Sequence, residues 1–171
     1  RLDFDLTRVG DIVNYIEKNR PDIIIHLAAL TRINVCEKEW QKAWLTNVEG
    51  TQNLVDAIKT VRKATRLVYM STPCIFEGEG EYDEDSIPKP SNWYGVTKLG
   101  GELVVRQLKN YAICRSNFVP FEKWEYPKAF ADRHSNYLFS HDLAEALVEV
   151  AKGKARGIVH LCGKETLSMF D

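Results

Sequence analysis

Apolar positions recur along this chain in two alternating rhythms, and the alternation predicts a fold class before any single residue is considered. Val9, Ile12, Val13 and Ile16 stand three and four apart, the spacing of one helix face. Asn19-Arg20-Pro21 ends that helix, because proline cannot continue it. A continuous run follows, Asp22-Ile-Ile-Ile-His-Leu-Ala-Ala29, and predicts a strand buried on both faces of a parallel sheet. Leu54, Ala57, Ile58 and Val61 mark a second helix, and Arg66-Leu-Val-Tyr-Met-Ser-Thr72 a second strand. Residues 73 to 92 are rich in Pro, Gly, Glu and Asp without any period, which predicts a long loop of the kind that usually carries function. A third helix holds Val96, Leu99 and Leu103 on its apolar face, with Gly100 permitting close approach to a neighbour. Tyr111 to Phe118 supplies another strand, residues 119 to 139 are irregular and aromatic-rich, and Leu143, Ala146, Leu147 and Val150 mark a fourth helix. Gly157 to Cys162 is the last strand, and Leu167 to Asp171 reads as the first turn of a helix capped by Ser168.

Strands alternating with helices of this length imply an α/β fold, a doubly wound parallel sheet with helices on both faces. The strands near 22–29, 66–72, 111–117 and 157–162 are expected to lie parallel in one sheet. The chain shows no internal repeat. Its 171 residues, 44% of them hydrophobic, suffice for one well-buried domain.

Composition then acts by exclusion. Lys plus Arg number 23 against 24 Asp plus Glu, so a net charge of -1 gives no electrostatic reason to expect nucleic acid or an anionic membrane as partner. The longest apolar stretch, Ile23 to Leu30, is far short of the roughly 20 residues that span a bilayer. No secretory signal opens the chain, and a cytoplasmic location is expected. Cys36, Cys74, Cys114 and Cys162 form no C-x-x-C pair, so reduced, mostly buried thiols are expected and no metal site.

Two groups of residues suggest chemistry. Tyr94 and Lys98 stand four apart, on one face of the third helix, where a cation favours phenolate over phenol and so makes the tyrosine a better general acid or base for carbonyl/alcohol interconversion. Ser71-Thr72 falls at the C-terminal end of a parallel strand, the edge where ligands bind in open α/β sheets, and a hydroxyl there can bond a substrate oxygen. Each has a plainer reading as a solvated pair or a strand-end turn.

Five ordered segments change that balance: His26-Leu-Ala-Ala-Leu-Thr31, Asn47-Val-Glu-Gly-Thr-Gln-Asn-Leu54, Met70-Ser-Thr-Pro-Cys-Ile-Phe76, Pro90-Ser-Asn-Trp-Tyr-Gly-Val-Thr-Lys-Leu-Gly-Gly-Glu102 and Ser140-His-Asp-Leu-Ala-Glu-Ala146. In order and approximate spacing they resemble the extended short-chain dehydrogenases/reductases that modify nucleotide-sugars, and within them most closely the dTDP-4-dehydrorhamnose reductases. The resemblance implies a Rossmann-like NAD(P)-binding domain over residues 1–118 lacking its first strands, a substrate-lobe segment over 119–139, and a returning helix and strand over 140–171. It implies a catalytic set of Thr72, Tyr94 and Lys98. Tyr94 would move the proton on a sugar oxygen, Thr72 would orient that oxygen, and Lys98 would also hold the nicotinamide ribose. Asp5 and Leu6 would lie near the adenine, Ala28, Ala29 and Thr31 beside the cofactor, and Met70 and Ser71 on the floor of the nicotinamide site. Asn47 resembles the helix asparagine near the active site, with a buried structural role as its alternative. Thr72 and Asn117 would touch substrate, while Arg115 ends the same strand as Asn117.

The implied cofactor is NAD or NADP, the implied partner a nucleotide-sugar, and a homodimer is compatible with the class. Reduction of a 4-keto sugar leads, with epimerisation or dehydration open. A non-catalytic regulatory subunit with a reductase-like fold is the alternative, because Pro73-Cys74 stands where the reductase branch usually carries Asp-Tyr. The family's opening G-x-x-G-x-x-G turn, whose amides hold the pyrophosphate, has no counterpart in this sequence; the acidic Gly78-Glu-Gly80 follows the wrong strand. A fragment of a longer protein, or a chain that has lost its cofactor, is therefore expected.

Overall fold

The computed structural model describes residues 5–62, 64–78, 80–120, 129 and 131–170. Helix α1 (Val9–Asn19) ends where Arg20 turns left-handed, at φ 45°, and leads into β1 (Ile23–His26). A helical tract follows: α2 (Ile33–Lys38), α3 (Trp40–Trp44), one π-helical turn (Leu45–Glu49) and α4 (Gly50–Val61). Next come β2 (Arg66–Ser71), a 3-10 turn (Pro73–Ile75), α5 (Trp93–Val105), β3 (Tyr111–Ser116) and β4 (Phe118–Val119). The described chain closes with β5 (His134–Ser135), β6 (Leu138–Phe139), α6 (Ser140–Lys152), β7 (Gly157–Leu161) and β8 (Leu167–Ser168).

Four strands make the central sheet in the order β1-β2-β3-β7, every pair parallel. Successive strand residues point to opposite faces, so each strand feeds two cores. Leu67, Tyr69 and Ile113 pack with Ile12, Ile16, Val55, Ile58 and Val105 from α1, α4 and α5. Val68, Ala112 and Cys114 pack with Leu143, Leu147, Val150 and Ala151 of α6. Helices thus cover both faces, as the alternation of periods predicts. At about 1.5–3 kcal/mol for each fully buried large apolar side chain, these two layers are the main source of stability. Arg66 joins them: from the head of β2 its guanidinium donates to the carbonyls of Val150, Gly153 and Ala155, at 2.8, 3.1 and 2.5 Å, closing the C-terminal end of α6.

Several expectations change. The first strand stops at His26, where its pairing to Tyr69 ends, and Ala28 is exposed beyond it. It is still covered on both faces, Ile24 packing into one core and Ile25 into the other, although Ile23 is exposed and β2 is its only strand neighbour among the described residues. Helices α2 and α3 fall where no helical period was legible, since Trp40 and Trp44 face solvent and interrupt the pattern. On α5 the faces are exchanged. Leu103 is 60% exposed, whereas Thr97, Lys98 and Glu102 are buried because each finds a polar, charged or aromatic partner inside. Among the described residues, 167–170 form no helical turn: β8 pairs antiparallel with β5, although Ser168 Oγ accepts a cap-like bond from Phe170 N, 3.2 Å away. Residues 121–128 and 130, in the expected substrate-lobe segment, and Asp171 lie outside the described residues. No helix among the described residues is long and apolar enough to cross a membrane.

Candidate active site

Thr72 is the first residue past β2, at the C-terminal edge of the sheet, and is itself buried. Its Oγ1 accepts from Cys74 N, 3.2 Å away, which fixes the 3-10 turn and leaves the hydroxyl hydrogen free to point elsewhere. Tyr94 reaches it from the first turn of α5. That turn is held by Asn92 Oδ1, which accepts from Gly95 N at 2.8 Å, and by Glu37 Oε1, which accepts from Trp93 N at 2.7 Å. Gly95 is required here, because a Cβ would lie 2.1 Å from the Cys74 carbonyl oxygen. The close approach of helix to loop brings the Tyr94 phenol within hydrogen-bond reach of Thr72.

Burial pushes the Tyr94 phenol up to about 12, with the nearby Cys74 thiol acting in the same direction and Thr72 opposing. Burial also brings Lys98 down to about 7, against an upward pull from Glu102. This corrects the expected electrostatics of the pair. Lys98 does not lower the tyrosine's proton affinity in this state, because its Nζ lies over the Tyr69 ring, 4.0 Å from the centroid. Tyr94 is therefore a protonated donor at neutral pH.

A hydrogen-bonded lattice holds α5 in place. Asn47, 1% exposed in the π-helical turn, donates to Thr97 Oγ1 (2.9 Å) and Leu30 O (3.0 Å) and accepts from Leu30 N (2.7 Å). Thr97 in turn donates to Tyr94 O, and Thr51 Oγ1 donates to Asn47 O. With its one proton so used, Thr51 Oγ1 accepts from His26 Nε2, 3.0 Å away, which places the ring proton on Nε2. Burial, then the Lys98 charge, depress His26 to about 3, so it stays neutral. Asn47 thus spends its side chain on structure, the alternative its position allowed.

Sequence reasoning passed over Glu102. It lies eight residues beyond Tyr94 and four beyond Lys98, on the same helical stripe, a spacing that could have revealed it. Fully buried, it accepts from Arg115 Nε (3.0 Å), Arg115 Nη2 (2.9 Å) and Ser71 Oγ (2.6 Å). Arg115 extends the chain to His160 Nε2 at 3.4 Å and sits over the Phe76 ring. Ser71 therefore has its hydroxyl engaged inward, while half-buried Met70 packs toward α6.

The remaining expected residues divide into two places. Ala28 and Thr31 are exposed and Ala29 half-buried just past β1, beside Thr72 along the same sheet edge. Leu6 is fastened to α4 through Asn53 Nδ2, which donates to its carbonyl at 2.9 Å, while exposed Asp5 accepts from Thr7 N. Asn117 stands apart past β3, donating to Ser135 Oγ at 3.2 Å. It lines a cavity of about 800 Å3 with Phe76, Tyr82, Arg115 and His160, and a smaller one of about 230 Å3 with Cys74 and Arg133. Thr72 and Tyr94 line neither, although Pro73 and Cys74 beside them do.

A nicotinamide dinucleotide would fit the ribose end of this edge. Lys98 is 3% exposed, and among the described residues its ammonium has a ring face but no hydrogen-bond acceptor, a deficit that ribose hydroxyls would remove. No group of His, Cys, Asp and Glu among the described residues could hold a metal ion.

The model of the family described as the RmlD substrate binding domain matches residues 1–135 of this chain. The dTDP-4-dehydrorhamnose reductase of Aggregatibacter actinomycetemcomitans is 28% identical over 99% of this chain and 66% of its own length. A solved dTDP-4-dehydrorhamnose reductase from Bacillus anthracis, in complex with NADP, superposes with a TM-score of 0.88 at 28% identity, over 98% of this chain and 65% of that one. Methionine adenosyltransferase 2 subunit beta of Xenopus laevis is 41% identical over 54% of this chain and 27% of its own length. The chain therefore spans about two thirds of the length of the two reductases. With the family match extending from the first residue through β5, and the Thr72–Tyr94–Lys98 edge inside it, the chain belongs to the RmlD substrate binding domain family.

Proposed function

We propose that this chain carries the proton-transfer centre of an NAD(P)-dependent reductase acting on the 4-keto group of a nucleotide-sugar. The observation that carries the reading is the meeting of Tyr94 and Thr72 at the C-terminal sheet edge, with buried Lys98 one turn along α5. The nicotinamide, when bound, supplies the hydride. Thr72 donates a hydrogen bond that orients the substrate carbonyl oxygen. Tyr94, held protonated by burial, transfers its phenolic proton to that oxygen as the alkoxide develops. Lys98 anchors the cofactor ribose and stabilises the phenolate left behind. Ala28, Ala29 and Thr31 border the cofactor, Asp5 and Leu6 its adenine end, and Met70 and Ser71 form the floor of its nicotinamide site. Asn117 reaches the sugar from the cavity side.

NADP is favoured over NAD by the Bacillus anthracis relative. A second reading, a non-catalytic regulatory subunit, is favoured by the 41% identity to a protein named as a subunit and by Pro73-Cys74. One experiment separates them: the full-length protein is given NADPH or NADH with dTDP-4-dehydrorhamnose, and nicotinamide absorbance is followed. Turnover that falls about 10²–10⁴-fold in Tyr94→Phe, with cofactor affinity retained, supports the enzyme. Undiminished turnover in Tyr94→Phe overturns the role of Tyr94, and none in the wild type favours the subunit.

A further inference from the structure

The Tyr69 ring has no place in the proton transfer just described, yet it is the nearest neighbour the structure gives to the Lys98 ammonium. We infer that Tyr69 is a positioning residue whose ring face seats Lys98 at the sheet edge and sustains its charge there. The inference rests on Lys98 being the cofactor-binding lysine, as proposed above.

The geometry is specific. Tyr69 lies on β2 two residues before Ser71, 1% exposed, and its ring faces the underside of α5. Lys98 Nζ stands 4.0 Å from the ring centroid, well inside the range of a cation–π contact. The ring is itself held on two sides. His26 packs against it with centroids 5.4 Å apart, and its hydroxyl abuts Gly101, where a Cβ would lie 2.1 Å away. That hydroxyl is buried without a hydrogen-bond partner, the nearest being Thr51.

The groups that face Lys98 make the seat consequential. From β1 comes neutral His26, from β2 Tyr69 itself, and from its own helix Glu102. Glu102 is already engaged by Arg115 of β3 and by Ser71. The ring's electron-rich face is therefore the contact that offsets burial of the ammonium at close range.

The test graduates the ring's electron density while holding its shape. In the full-length protein, Tyr69 is replaced by Phe and then by trifluorophenylalanine, a ring of nearly the same size with a depleted face. Lys98 protonation is read without substrate or cofactor, from the pH dependence of competitive amine labelling. Tyr69→Phe is expected to leave the Lys98 midpoint nearly unchanged, and fluorination to lower it by about one pH unit. Cofactor affinity at neutral pH should then fall by roughly tenfold. An identical midpoint in the two rings would overturn the seat, whatever the activity. A shifted midpoint in a protein that turns over no nucleotide-sugar would uphold the seat and sink the reductase reading instead. Tyr69→Leu supplies the check on shape: it should be at least as damaging to the midpoint as fluorination, and a midpoint restored by Leu would also count against the ring.

Discussion

Lys98 illustrates how one side chain sets function against stability. Its folded-state value near 7 lies below the ordinary 10.5, so between those limits the unfolded chain holds a proton that the folded chain has released. Stability must then climb as pH rises from about 7 to 10.5 and stay depressed below 7. Lys98→Met is predicted to raise the melting temperature at pH 7 by roughly 5 °C, the gain shrinking to nothing near pH 10.5, while cofactor binding is lost. Thermal unfolding of both forms across that range checks the sign, and a gain that grew with pH would contradict it. His26 acts in a separate window, costing stability only as pH falls from 6.5 toward 3. Tyr94, Lys98 and Thr72 stood out in the sequence through the five segments that resemble a family, since a helical spacing and a strand end alone have plainer readings. Tyr69 was silent, since an aromatic in a buried strand is what any core would use.

Elements differ in legibility for physical reasons. Helix α4 and the sheet strands announce themselves because their burial is apolar. On α5 the same reasoning picked Leu103 as an inward residue and found the outward face, because the inward face carries Thr97, Lys98 and Glu102 beside Val104 and Val105. The expected close approach of that helix is real at Gly100, where a Cβ would come within 2.9 Å of Val48 Cγ2. It is tighter at Gly95. Gly95→Ala is predicted to push the start of α5 off the Cys74 carbonyl, separating Tyr94 from Thr72. Turnover should drop at least tenfold with helical content retained, as kinetics beside circular dichroism would show. A fully active Gly95→Ala would mean that this contact does not set the spacing of the two hydroxyls.

At the scale of the whole molecule, the Glu102–Arg115 pair binds α5 to β3 and, through Ser71 and His160, to β2 and β7. Breaking one partner strands the other without solvent. Glu102→Gln and Arg115→Met are each predicted to cost about 3–5 kcal/mol, and the double variant less than their sum. Denaturant titration of the four proteins measures the coupling, and strict additivity would show that the pair does not act as a unit. Glutamine keeps an acceptor for Ser71, so the cycle isolates the charge.

The strand order has a consequence for the timing of assembly. Ile23 pairs with Arg66, Leu67 with Tyr111 and Ala112 with Gly157, so within the described central sheet each strand docks on the sheet strand made before it. Among the described residues, no strand of this sheet must be threaded between two already in place. At roughly 5–20 residues per second, a ribosome leaves seconds between strands, against microseconds for a local hydrophobic collapse. The four described strands can therefore be laid down in step with translation, β2 on β1, β3 on β2 and then β7 on β3. Nascent chains arrested with Val105 exposed should already shield α4 and β2 from protease. Those arrested before Arg115 emerges should hold Glu102 without its counter-ion and stay loose along α5, tightening only when β3 is added.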